Sequence, residues 1–253
     1  MNTAGYTLGL VSVSFRKHSP EEILKAMDAA GLSVIEWGSD VHAPCADVKR
    51  LLEIAALQKK YGITCCSYGT YFRLGETPME ALESYIEAAK ILGTDILRLW
   101  CGNKSSAAMT TREREDLLCE CRRAAAIAKS YDVKLCMECH KNTFTEKSQD
   151  AVWLMQSVNS PNFCMYWQPF QWQDTKQNLE NARTIAPYAR HIHVFHWQNS
   201  QKLPLSNAIE EWCGYLKQFT KPRTLLLEFM PDDRIESLLS ESCSLKTIIG
   251  ELL

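Results

Sequence analysis

The chain has 253 residues, 46% of them hydrophobic, with 28 basic against 30 acidic side chains and a formal charge of −2. That length can bury one sizeable core, and about 250 residues is the usual size of an eight-stranded α/β barrel. The near-neutral balance gives no electrostatic reason to expect nucleic acid or an anionic membrane as partner. The N-terminus MNTAGYTLGLVSVSF lacks a basic stretch followed by a long apolar one, and no run reaches a membrane-spanning length, so a cytoplasmic protein is expected. Eleven cysteines, an odd number without an export signal, read as reduced core residues rather than a disulfide framework.

Short β-rich runs alternate with amphipathic helical runs along the chain. LGLVSVSF reads as the first strand. Ser19-Pro20-Glu21-Glu22 starts a helix, with Ser19 as N-cap, Pro20 at the first turn and Glu22 completing a capping box; Gly31 ends it. LSVIEW is the second strand, followed by a helix from about Asp47 to Tyr61 that stops at Gly62. ITCCSY is the third strand, with a helix from about Pro78 to Leu92 ending at Gly93. DILRLW, VKLCMEC, NFCMYWQ, RHIHVFH and RTLLLEF supply strands four to eight. Helices at about Thr111–Tyr131, Ser148–Val158, Lys176–Pro187 and Ser206–Phe219 separate them, and a last helix runs from about Arg234. Eight such units predict an α/β fold, a single (β/α)8 TIM barrel forming one domain over residues 1–253. No glycine-rich phosphate loop follows any strand.

Barrel chemistry sits at the C-terminal ends of the strands. The polar residues there are Glu36, Arg98, Glu138, His140, Gln168, Gln171, His191, His193, His196 and Glu228. A glutamate inside an apolar run such as KLCMEC or TLLLEF is expensive to bury without a partner. Two such glutamates, with a histidine-rich strand between them in order, fit a shared divalent metal better than two separate salt bridges. His193 points to that metal, His191 lies one layer deeper by the strand period of two, and His196 reaches substrate. Arg98 is either an interior ion pair, for instance with Glu36, or a clamp for a substrate anion. Trp37, Trp100, Trp167, Trp172 and Trp197 lie near strand ends, where indole faces can stack on sugars or seal the barrel top.

The ordered set GLVSVSF, SVIEW, LRLWCG, LCMECH, YWQPFQ, HIHVFH and LLLEF resembles the xylose isomerase-like barrel superfamily, in particular its sugar phosphate isomerase/epimerase branch, over all eight units. The resemblance implies one divalent ion (Mn, Co, Mg or Zn) held by Glu138, His193 and Glu228, with Glu138 and Glu228 also exchanging a proton with the substrate. It further implies an aspartate at position 168 and a substrate-binding histidine at 171. This sequence has Gln168 and Gln171 instead. Gln168 then either ligates the ion as a neutral oxygen, or binds a sugar hydroxyl, or marks loss of the metal. Glu36, Arg98, Trp100, His140, Gln171 and His196 are the expected substrate contacts.

The implied activity is a metal-dependent sugar isomerase or epimerase working through an enediolate on an unphosphorylated sugar or keto acid. A keto-sugar or glycoside lyase and a non-catalytic sugar-binding barrel are the alternatives. A phosphodiester hydrolase would need more ligands and basic loops than this chain carries. The tryptophan-rich top leaves room for a homo-oligomer.

Overall fold

The computed structural model describes residues 5–252. Its strands are β1 (Thr7–Val11), β2 (Val34–Gly38), β3 (Thr64–Leu74), β4 (Ile96–Cys101), β5 (Lys134–Glu138), β6 (Phe163–Trp167), β7 (Ala189–Val194), β8 (Trp197–Gln198), β9 (Gln201–Lys202) and β10 (Thr224–Leu227). Its helices are α1 (Pro20–Ala30), α2 (Val48–Tyr61), α3 (Leu82–Leu92), α4 (Thr111–Ser130), α5 (Ser148–Val158), α6 (Thr175–Ile185), α7 (Ile209–Leu216) and α8 (Leu238–Gly250). Eight of the strands close in the order β1-β10-β7-β6-β5-β4-β3-β2, every pairing parallel. This is the expected (β/α)8 barrel. Among the described residues no helix is long and apolar enough to cross a membrane.

Local signals account for the element boundaries. Ser19 and Glu22 form the expected capping box and Pro20 opens α1. Gly31 closes that helix in the left-handed region at φ 64°, where a side chain would be strained. A second capping box, Thr110 with Glu113, opens α4. All eleven cysteines carry free thiols.

The structure departs from the sequence expectation in four places. The first strand ends at Val11, and Ser12–Phe15 forms a 3₁₀ turn. There the Ser12 hydroxyl accepts the Gly38 N–H at 2.9 Å, tying the turn to the end of β2. β3 runs on to Leu74, past a shift in its pairing with β4 between Gly69 and Arg73. The antiparallel β8–β9 hairpin between β7 and α7 carries too short a pattern to be foreseen. β10 ends at Leu227, so Glu228 stands in the following loop, and Phe229 takes φ 61°.

The strand period decides which aromatics reach the barrel interior. Glu36 and Tyr166 point inward, so their neighbours Trp37 and Trp167 point out into the layer between sheet and helices. Both are fully buried. Trp37 donates to Gln58 Oε1 of α2 at 2.9 Å. Trp167 packs edge-on against Trp212, Tyr215 and Phe219 at 5.9, 5.4 and 5.6 Å. Neither can stack on a sugar, which corrects that part of the sequence reading. Trp167→Ala should cost about 3–5 kcal/mol of unfolding free energy in urea titrations. A loss below about 1 kcal/mol would show that this aromatic cluster is not part of the core.

Candidate functional site

Above the apolar floor of the barrel lies a buried layer of charge. Glu36, at the register level of Ser67 across β2–β3, is fully buried. Its Oε1 accepts from Arg98 Nε at 2.7 Å and its Oε2 from the Ser67 hydroxyl at 2.5 Å. Arg98 Nη1 donates to Glu138 Oε2, which also accepts from Trp100 Nε1 at 2.5 Å. One guanidinium thus bridges two carboxylates at the centre of the barrel. Gly69 makes room for it: a Cβ there would lie 2.7 Å from Arg98 Nη2 and 3.0 Å from Glu36 Oε1. With Nε and Nη1 both committed and Nη2 packed on Gly69, the interior ion pair is the arrangement observed, not a free anion clamp.

His193, fully buried on β7, stands over this bridge. Its Nδ1 faces three oxygens at once: Gln168 Oε1 at 3.1 Å, Glu228 Oε2 at 3.3 Å and Glu138 Oε1 at 3.7 Å. A single ring N–H can serve only one of them. Glu228 Oε2 is buried without a hydrogen-bond partner, and so is His193 Nε2, whose nearest carboxylate is Glu36 Oε1 at 3.8 Å. Gln168 is oriented by its amide, which donates to the Cys139 carbonyl at 3.0 Å. The four residues proposed from the sequence as metal ligands are therefore brought together around one atom.

The protonation equilibria follow from this crowding. Burial alone would raise the Glu36 carboxyl, but Arg98, His193 and Ser67 hold it well below the usual carboxylate range. Burial and Arg98 oppose each other in the same way at Glu138, where Arg98 and His193 prevail and lower it. Burial would depress the His193 imidazole, yet Glu228, Glu138 and Glu36 raise it well above its usual value. The negative charge around it favours the protonated imidazole.

Among the described residues, no three histidine, cysteine, aspartate or glutamate side chains are closed tightly enough to hold a metal as they stand. The donor set fits one nevertheless. Ligands about 2.1 Å from a common ion lie roughly 3.0–3.4 Å apart in octahedral or tetrahedral geometry. Gln168 and Glu228 already stand within that range of His193 Nδ1, and Glu138 is slightly beyond it. The charges fit as well: three buried carboxylates against one guanidinium leave two negative charges for a divalent cation to balance.

The remaining expected contacts divide. Trp100 lies at the cluster, with Arg73 over its ring at 4.2 Å and Tyr71 edge-on at 5.2 Å. His140 sits beside it at 5.0 Å, half-buried at the mouth. His191 lies one layer deeper, as expected, with Nε2 at 3.1 Å from the Cys66 carbonyl. Gln171 and His196, beyond the ends of β6 and β7, line a separate small crevice with Trp197, Trp212 and Tyr215. Trp172 is exposed and stacks on Phe170. Sequence reasoning missed Ser67 and Tyr166, whose hydroxyls link at 2.6 Å beneath Glu36 and His193. It also missed Tyr71, held at φ 56° beside Trp100.

Arg98→Ala leaves two buried carboxylates without their cation and should destabilise the fold by about 3–5 kcal/mol in urea titrations. Glu36 and Glu138 are both held below their usual value of 4.5 when folded. The stability they contribute is therefore complete above that value and lost as pH falls towards the folded ones. Thermal melts between about pH 6 and pH 3 should show a shallower acid decline for Glu36→Gln than for the parent. Parallel declines would remove Glu36 from this balance.

The chain's sequence matches the xylose isomerase-like TIM barrel family over residues 19–218. No curated protein matches it in sequence. Its fold is similar to the probable 3-DHS dehydratase AsbF, involved in petrobactin synthesis, from Bacillus anthracis: 16% identity, TM-score 0.75, covering 95% of this chain and 98% of that one. It is also similar to the IolI protein with a zinc atom, at 13% identity and TM-score 0.77, covering 98% and 99%. A D-psicose 3-epimerase solved in the presence of D-fructose matches at 12% identity and TM-score 0.70, covering 97% and 99%. With its closed parallel barrel and a family match across most of its length, the chain belongs to the xylose isomerase-like TIM barrel family.

Proposed function

We propose that this protein is a divalent-metal-dependent isomerase or epimerase of unphosphorylated keto-sugars, moving a proton next to a carbonyl. The observation that carries this reading is the convergence of Gln168, Glu228 and Glu138 on His193 Nδ1, two of them carboxylates and one with an orphaned oxygen. Glu138, Gln168, His193 and Glu228 would hold one Mn, Co, Mg or Zn ion. When bound, such an ion supplies a Lewis acid beside the substrate carbonyl. Similarity to a zinc-holding barrel and to a ketose epimerase supports the reading.

The two carboxylates are not equivalent. Glu228 Oε2 has no hydrogen-bond partner, which leaves it open to a substrate proton. Glu138 Oε2 is held by Arg98 and Trp100, which keeps Glu138 ionised and makes it a poor proton carrier. Glu138 therefore orients more than it shuttles, unless substrate displaces one of those donors. Arg98, the guanidinium within the cluster, is committed to Glu36 and Glu138, so a neutral keto-sugar suits the cluster better than a keto acid or a sugar phosphate. Trp100, His140 and Tyr71 form the wall such a sugar would meet.

The clamped Glu138 also favours a second reading, a dehydratase of a keto-sugar, in which Glu228 alone removes the proton and a β-hydroxyl leaves as water. The match to a probable dehydratase supports that class equally.

The test is incubation of metal-loaded protein with unphosphorylated ketoses in deuterium oxide. Deuterium should enter at the carbon next to the carbonyl, with a mass otherwise unchanged for isomerisation or epimerisation, or with loss of water for the second reading. Glu228→Gln should reduce exchange by about a thousandfold or more. Gln168→Asp, which restores a charged oxygen, should tighten metal binding; unchanged affinity would take Gln168 out of the coordination shell. Absence of exchange across ketoses and keto acids, with metal bound, would overturn the proposed catalysis in favour of sugar binding alone.

A further inference from the structure

The opposite end of the barrel carries a second concentration of charge, and it is cationic. The strand beginnings of β1, β6, β7 and β10, with the loops leading into them, surround a cavity of about 570 Å³. That volume lies in the range of small-molecule pockets. Arg190, Lys221 and Arg223 line it, and among the described residues no carboxylate does. Arg223 is fixed in place: its Nε donates to the Ala189 carbonyl at 2.8 Å, Nη1 to the Lys221 carbonyl at 3.0 Å and Nη2 to the Ala186 carbonyl at 3.2 Å. These bonds orient the guanidinium without neutralising it. Burial and the neighbouring Arg190 both pull Arg223 below its usual value, the mark of like charges held together. Arg190 and Lys221 have no carboxylate within salt-bridge distance among the described residues.

A second feature lies at the wall of the same cavity. His191 lines it, is 6% exposed, and its Nδ1 is buried without a hydrogen-bond partner. A buried polar atom without a partner costs free energy unless a ligand or water meets it. The three cations without a counter-charge ask for a compact acceptor-rich anion. His191 Nδ1 is an acceptor, because Nε2–H serves the Cys66 carbonyl, and it asks for a ligand hydroxyl such as the O–H of hydrogen phosphate. Arginine forks suit phosphate and carboxylate oxygens in particular.

We propose that the N-terminal face of this barrel binds a small dianion, of phosphate or dicarboxylate chemistry, between Arg190, Lys221, Arg223 and His191. The site is separate from the Glu138–His193–Glu228 cluster and does not depend on the function proposed for it. One physical connection exists: the His191 ring packs edge-on to Tyr166 at 5.1 Å, and Tyr166 packs on His193 at 5.0 Å.

The pocket contains its own reporter. Cys164 lies in its wall. The neighbouring Cys136 thiol, together with Arg190 and Lys134, lowers the Cys164 thiol against the effect of burial, which favours the thiolate that alkylation requires. The experiment is the rate of Cys164 alkylation by iodoacetamide, read by peptide mass spectrometry. It is measured in inorganic phosphate, in malonate, and in sodium chloride of matched ionic strength. Phosphate or malonate should slow Cys164 by about fivefold relative to chloride, while exposed Cys119 and Cys243 are unaffected. Protection by phosphate alone identifies a phosphate-bearing ligand, and protection by malonate a dicarboxylate. The ratio of rates with and without the anion should return to one in Arg190→Gln and in Arg190→Gln/Lys221→Gln, both changes at exposed side chains. The ratio cancels the variant's direct effect on the thiol. Equal rates in all three salts, or protection that survives in the double variant, would overturn the proposal.

Discussion

Arg98 is the cation on which the upper half of this barrel is built. It is buried, it joins Glu36 to Glu138, and removing it would leave both carboxylates in a medium that cannot solvate them. Its neighbours make sense only around it. Gly69 is small because the guanidinium occupies the space a side chain would take. Ser67 and Trp100 satisfy the carboxylate oxygens that the guanidinium does not fully serve. His193 is then left above a bridge that is already complete on its lower side, and the excess negative charge lies on the upper side with Glu228.

That asymmetry gives Gln168 a physical meaning. With glutamine, three carboxylates and one guanidinium leave a deficit of two positive charges, which one divalent ion would cancel with a neutral imidazole. An aspartate at 168 would leave one negative charge over in the same burial. The substitution is thus consistent with a site that retains its cation and gives up net negative charge.

The barrel was legible because the signals that specify it are local. Capping boxes, helix-ending glycines and apolar runs at regular intervals each depend on a few adjacent residues, and their sum gives the eight units. The ligand-bearing positions were legible because a glutamate or histidine within an apolar strand is conspicuous. The partners of those residues were not. Ser67 and Tyr166 look like ordinary strand residues, and only closure of the sheet brings the tyrosine of β6 across to the serine of β3. Trp37 and Trp167 misled for the complementary reason: proximity to a strand end says nothing about which face a residue takes, and the inward Glu36 and Tyr166 send them outward. Gln171 and His196 stand further past their strand ends than Gln168 and Glu228, which follow β6 and β10 directly, and at that distance loop geometry and not strand period decides direction.

The central claim is that the Glu138–Gln168–His193–Glu228 cluster needs a divalent cation. Its most direct test is metal content by inductively coupled plasma mass spectrometry, on protein purified without a histidine tag, beside Glu228→Ala. About one ion per chain in the parent and none in the variant is the predicted result. Failure of the parent to retain Mn, Co, Zn or Mg after loading and dialysis would contradict the account.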